Sequence, residues 1–282
     1  STPLWQAAGL EPSAIKVLLV NDNSLNAFVA GGQNLFMNTG LLMRSENPSQ
    51  VIGVIAHETG HIAGGHITRL YDALSDASIK SVVAMLLGAA AGIASGRSDV
   101  GQAIALGGAQ VGQRSLLSFT RTQEGEADQA ALKFLTATRQ SARGMLEFFN
   151  ILGDQDLVSD RYQDPYTRTH PLTRDRIATV ENYVQSSPYS NNPTSPEFAE
   201  MHKRMRAKLV GFLESFQVAT RRYPESDTSA EARYARAIAY YRKADLAHAV
   251  PLIDQLIAEV PGDPYYLELK GQMLFENGHV TE

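Results

Sequence analysis

The first part of the chain carries short β-branched and aromatic runs punctuated by turn formers, which is the pattern of strands. Ile15-Lys16-Val17-Leu18-Leu19-Val20 predicts one strand, closed by the cluster Asn21-Asp22-Asn23-Ser24. Asn26–Ala30 and Asn34–Asn38 predict two more, with Gly31-Gly32 between them. The stretch from Ile15 to Leu42 thus reads as a small antiparallel sheet with a glycine hairpin. The pattern then changes to helix. Asn47 is a candidate N-cap, Pro48 suits the first helical position, and Val51, Ile52, Val54, Ile55 and Ala56 supply an apolar lead-in. Residues 68–94 and 98–118 predict two helical segments rich in Ala, Gly and Leu, broken at Ser95-Gly96-Arg97-Ser98. Thr122–Thr138 and Ala142–Leu152 predict two further helices, and Asp160–Pro171 reads as loop.

Ser186 to Pro196 holds three prolines, four serines and the pair Asn191-Asn192, so a domain boundary is expected there. Beyond it the chain reads as helix pairs. Ala237, Tyr240, Ala249, Ile253 and Pro261 match the small and aromatic positions of a helix-turn-helix repeat of about 34 residues. A second copy opens at Pro264, with Leu267, Gly271, Leu274 and Gly278 in corresponding places, and an incomplete last repeat suggests a longer natural chain. The expected fold class is α+β, a mainly α domain with a small antiparallel sheet over residues 1–187. An all-α tetratricopeptide-like region over 188–282 follows it.

With 44% hydrophobic and 20% charged residues, the 282-residue chain can bury a core, which excludes wholesale disorder. The 25 Lys and Arg against 30 Asp and Glu give a net charge of −5. A general positive field is thereby excluded, and no nucleic-acid partner is expected. The chain has no cysteine, so a metal site has to be built from His and carboxylates. Val82–Ala94 is the longest apolar run, well short of the roughly 20 residues a spanning helix needs. A start at Ser1 rather than Met is read as a mature or trimmed protein, which leaves export open.

His57-Glu58-Thr59-Gly60-His61 carries the strongest chemical signal. On a helix, i and i+4 share a face, so both imidazoles can hold one Zn²⁺. Glu58 then lies beside the metal, where it can take a proton from the attacking water. The plain alternative is a buried helix with two satisfied histidines. A third ligand decides. Gly64 matches the glycine of the longer His-Glu-x-x-His-x-x-Gly-x-x-His pattern, but Ile67 stands at its last position. His66 is one residue early and, on a continuous helix, projects about 180° from His57. The later run Glu124-Gly125-Glu126-Ala127-Asp128 offers Glu124 as ligand and Asp128, on the same face, as the carboxylate that orients a ligating His. Glu126 points away. By itself this run also suits a solvated acidic helix start.

Asn26-Ala27-Phe28, Gly31-Gly32-Gln33, Asn38-Thr39-Gly40-Leu41, His57-Glu58-x-x-His61, Glu124-x-Glu126-Ala127-Asp128 and His170-Pro171 occur in one order over roughly residues 4–185. In this the chain resembles metallopeptidase family 48, the gluzincin-like family of the prenyl-protein (CAAX) endopeptidases and bacterial HtpX-type proteases, in its periplasmic branch fused to tetratricopeptide repeats. The resemblance implies a zinc endopeptidase with one Zn²⁺ on His57, His61 and Glu124. It also places His170, and Arg176 six residues later, near the active site, with Arg174 as a competitor. Either group could stabilise an oxyanion. His170 could instead cap the zinc in a latent state, the reading preferred here because its surroundings are Pro-flanked.

The resemblance further implies a periplasmic, outer-membrane-associated location and protein substrates that are misfolded or unassembled. The repeats would dock on outer-membrane assembly machinery, and residues 79–118 would make peripheral membrane contact. Substrate is expected to add to the strand edge at Asn26–Ala30. A different class remains open: a non-proteolytic chaperone or adaptor acting through the repeats, with a structural zinc.

Overall fold

The computed structural model describes residues 1–73, 109–155 and 170–279. The chain divides into two compact units, Ser1–Thr194 and Ser195–Glu282.

The first unit opens with helix α1 (Thr2–Ala7), a single 3₁₀ turn, and strands β1 (Lys16–Val20), β2 (Ala27–Ala30) and β3 (Asn34–Asn38). Gly31 and Gly32 both take positive φ, +58° and +94°, so β2 turns tightly into β3 and the two pair antiparallel. The sheet order is β1-β3-β2, and β1 runs parallel to β3 with Lys16 opposite Asn34 and Val20 opposite Asn38. The three-stranded sheet is therefore mixed, not antiparallel throughout. The reason lies in the link after β1. Asp22 accepts from Ser24 N at 2.7 Å, and its carbonyl accepts from Thr39 Oγ1 at 3.1 Å and Gly40 N at 2.8 Å. That tie anchors the exit of β1 beside the exit of β3, so both strands point the same way.

Helix α2 (Thr39–Arg44) follows β3 directly, although the sequence pattern reads as strand-like to Leu42. Its Leu41, Leu42 and Met43 are all buried. Helix α3 (Pro48–Ala63) starts as its sequence signals: Asn47 accepts from Gln50 N at 3.1 Å and Pro48 occupies the first turn. After α4 (His66–Ala73) come α5 (Ala109–Ala137), α6 (Arg143–Gln155) and α7 (Arg174–Ser186). The sequence predicts a new helix at Thr122, whereas α5 runs through that point as one helix. Helix α3 packs against both α5 and α6. At Gly60 the contact is close enough that a Cβ would sit 2.6 Å from the Ala127 carbonyl oxygen, so only glycine lets α3 and α5 meet there.

The second unit is all helix: α8 (Pro196–Leu213), α9 (Phe216–Arg222), α10 (Ala230–Tyr241), α11 (Leu246–Glu259) and α12 (Pro264–Glu276). Tyr234, Ile238, Ile253, Leu256, Leu269 and Met273 lie in its core, and Ala237 and Ala249 are fully buried there. Among the described residues no helix is long and apolar enough to cross a membrane. The expected break at 95–98, the Val82–Ala94 apolar run, most of the 79–118 membrane-contact segment and most of the 160–171 loop lie outside the described residues.

Candidate metal centre

Local sequence sets three parts of the site. Helix α3 carries His57, Glu58 and His61 in its last two turns, all buried. Helix α5 brings Glu124 and Asp128 onto one face, both buried, while the Glu126 side chain is about half exposed. The segment entering α7 supplies His170, and Thr173 caps that helix by accepting from Arg176 N, which turns Arg176 into the interior.

Packing of α3 on α5 brings these residues together. His57, His61, Glu124 and His170 each offer a ligand atom, and the four atoms lie within 4.8 Å of one another. His57 Nε2 is 3.1 Å from His61 Nε2 and 3.2 Å from Glu124 Oε2. His61 Nε2 is 3.3 Å from Glu124 Oε1. His170 Nδ1 stands 3.1 Å from Glu124 Oε1 and 3.4 Å from His57 Nε2, and its Nε2 faces Glu58 Oε1 at 3.5 Å. Behind this cluster, His57 Nδ1 bonds Asp128 Oδ1 at 2.9 Å.

Arg176 donates to Asp128 through Nε at 2.6 Å and Nη2 at 2.9 Å, lies 3.0 Å from Glu124 Oε2 through Nη1, and donates to the Pro171 carbonyl. The Phe149 ring of α6 lies 5.0 Å from the guanidinium carbon. The cation that the sequence offers as an oxyanion partner is thus engaged by two carboxylates.

The electrostatics follow from burial against these neighbours. Burial opposes a charge on His57, yet its bonds to Asp128 and Glu124 outweigh burial and raise it to about 9. Burial dominates at His61 and lowers it to about 3. Burial would raise Glu124 and Asp128. The imidazoles around Glu124 hold it well below the carboxylate range, and the Arg176 and His57 bonds hold Asp128 down. Burial pushes Glu58 up, and neither of its oxygens has a hydrogen-bond partner among the described residues.

This donor set fits a divalent cation. Two Nε2 atoms and a carboxylate converge within hydrogen-bond distance of one another, an arrangement of acceptors that needs positive charge among them. A buried carboxylate without a partner at its edge suits a group that handles a proton.

His66 stands differently from the sequence expectation. Helix α3 does not continue to it: Gly65 takes φ +60° and turns the chain, and α4 begins at His66. Its Nδ1 comes to 2.9 Å from His61 Nδ1, on the side of that ring away from Glu124. It lies outside the ligand cluster, as expected, but through the bend and not through opposite projection. Gly64-Gly65 was the available signal, since glycine is the usual helix terminator.

Residues 3–184 match the sequence profile of peptidase family M48. The chain is 26% identical over 259 residues to a putative beta-barrel assembly-enhancing protease of Vibrio cholerae, covering 89% of this chain and 52% of that one. It is 29% identical over 265 residues to the beta-barrel assembly-enhancing protease of Escherichia coli K12, and 25% over 264 residues to that of Yersinia pestis, with the same coverage. The chain spans about half the length of these curated relatives.

Proposed function

The chain belongs to peptidase family M48, and from that premise we propose that it is a zinc endopeptidase of the gluzincin type. It would cleave misfolded or unassembled proteins in the periplasm, in outer-membrane protein quality control. The observation that carries this reading is a convergent His57, His61 and Glu124 set with the buried carboxylate of Glu58 at its edge, which has no hydrogen-bond partner among the described residues. The names these relatives carry support the assembly role. The helices of the second unit would serve as tetratricopeptide-like repeats that present clients or dock on assembly machinery.

His57, His61 and Glu124 would hold one Zn²⁺, which when bound supplies Lewis-acid polarisation of the scissile carbonyl. Glu58 accepts the proton of the attacking water and passes it to the leaving amine. Burial raises Glu58 above the ordinary carboxylate range, which suits a group that takes up and returns a proton. Asp128 holds His57 by Nδ1, and Arg176 holds Asp128 and Glu124 in place, which gives Arg176 a supporting task. An extended substrate would pair with β2, an edge strand of the sheet among the described residues. Zinc content and casein cleavage of the purified protein test the whole reading; stoichiometric zinc without cleavage favours the chaperone or adaptor.

Replacing Asp128 by Asn should weaken zinc affinity roughly 10–100-fold, because His57 loses the carboxylate that orients it. The fold should survive, since the amide keeps one acceptor for Arg176. Chelator competition measures this, and unchanged affinity would make Asp128 a partner of Arg176 alone.

His170 separates two mechanisms of opposite sign. Its Nδ1 faces Glu124 and His57 while its Nε2 faces Glu58, so the ring stands between the donor set and the base. We assign it the fourth ligand position in a latent state. Replacing His170 by Ala should then raise casein cleavage at unchanged zinc content. A fall of about 10²–10³ in kcat would instead make it an oxyanion donor.

A further inference from the structure

We propose that His66 is a positioning residue that holds His61 in its ligating tautomer, and that Gly64 is glycine because the His66 ring occupies the space a side chain would need. The inference rests on the reading of His57, His61 and Glu124 as metal ligands.

The His66 ring is buried at 2% exposure and stands edge-on to His61, with centroids 4.9 Å apart. Its Nε2 lies 3.2 Å from Glu126 Oε2, and its Nδ1 lies 2.9 Å from His61 Nδ1. A carboxylate only accepts, so the Nε2 of His66 that faces it at ion-pair distance is the nitrogen that carries the hydrogen. A neutral His66 then has its lone pair on Nδ1. The hydrogen between the two facing Nδ1 atoms must therefore belong to His61. With its hydrogen there, His61 turns the Nε2 lone pair toward Glu124 and His57, as a metal ligand must.

Asp128 performs the same service for His57 directly. At His61 an imidazole is interposed between the ligand and its carboxylate. Gln123 Nε2 donates to the His66 carbonyl at 3.2 Å, and Arg69 Nη2 donates to Glu126 at 2.8 Å, so both ends of the relay are held.

Gly64 supplies an independent observation. Its backbone, at φ −72° and ψ −12°, is open to any residue, so conformation does not require glycine. Space does. A Cβ there would fall 2.3 Å from His66 Nε2 and 2.6 Å from Cδ2. Alanine at this position must displace the ring, while Gly64 itself is exposed.

The experiment compares His66→Leu, His66→Asn, Gly64→Ala and the Gly64→Ala/His66→Leu double variant. It reads zinc affinity by chelator competition, the visible spectrum of the cobalt-substituted protein, and the melting temperature of the metal-free protein. His66→Leu and Gly64→Ala should each weaken zinc affinity roughly 10-fold, the low end of such outer-partner losses, and shift the cobalt spectrum. The double variant should be no weaker than His66→Leu, because the ring that the added methyl group would strike is gone. His66→Asn should retain wild-type affinity, since its amide oxygen reaches the place of Nδ1. Wild-type affinity and spectrum in His66→Leu would overturn the proposal, as would equal losses in the Leu and Asn variants. A wild-type protein that takes up no zinc would instead overturn the ligand reading beneath it. Should His66→Leu fail to fold, Gly64→Ala still decides, because it adds one methyl group at an exposed turn.

Discussion

Replacement of Glu58 by Gln should lower casein cleavage by about 10²–10⁴-fold, the usual worth of a general base, with zinc content unchanged. The substitution keeps size and shape and removes only the capacity to take a proton. Glu58 makes no hydrogen bond that holds a ligand in place: both oxygens lack a partner among the described residues, and the nearest site nitrogen, His170 Nε2, is 3.5 Å away. The outer partners of His57 and His61 are Asp128 and His66, which the change leaves alone. Loss of cleavage at full zinc therefore isolates proton transfer from metal binding. Equal cleavage by wild type and Glu58→Gln, both loaded with zinc, would reassign the metal to structure and the protein to the chaperone or adaptor class.

The second large effect concerns the ligands themselves. His61→Ala and Glu124→Ala should each come through dialysis zinc-free, while Glu126→Ala should keep its zinc. Three protein ligands are the minimum of a catalytic zinc site, and each deletion leaves two of the three, with only His170, which binds in the latent state alone, beside them. Glu126 is two residues from Glu124 but lies across the helix, half exposed, paired with Arg69 and His66. When it is removed, water can accept from His66 Nε2, so the cost at His61 should be slight. Metal analysis of the three purified variants checks this. A zinc-free Glu126→Ala beside a zinc-loaded Glu124→Ala would exchange the two assignments.

Much of the centre is written in local sequence. The i, i+4 spacing of His57 and His61 and of Glu124 and Asp128 places each pair on one helix face whatever surrounds it, because helical geometry depends only on the backbone. The N-cap at Asn47, the strand stretches and the Gly31-Gly32 hairpin are likewise set by residues within a few positions of each other. The repeat-like spacing beyond residue 230 brings Ala237, Ala249 and Ile253 into one buried cluster for the same reason.

Other features depend on partners far apart in the chain. Alternation says that β1 is a strand but not that it runs parallel to β3; the Asp22 tie to Thr39 and Gly40 decides that. Nothing near Thr122 says that α5 passes through it unbroken. The Asp128–Arg176 pair joins residues 48 apart, and Arg176 reads as an oxyanion candidate until two carboxylates are seen to engage it. At His66, one glycine in the left-handed region turns a residue predicted to face away from the site into the neighbour of His61. Periodicity fixes where a side chain leaves its own helix. Only the packing of α3 against α5 fixes which charges meet, because ion pairs and ligand sets depend on ångström distances between elements that local sequence does not encode.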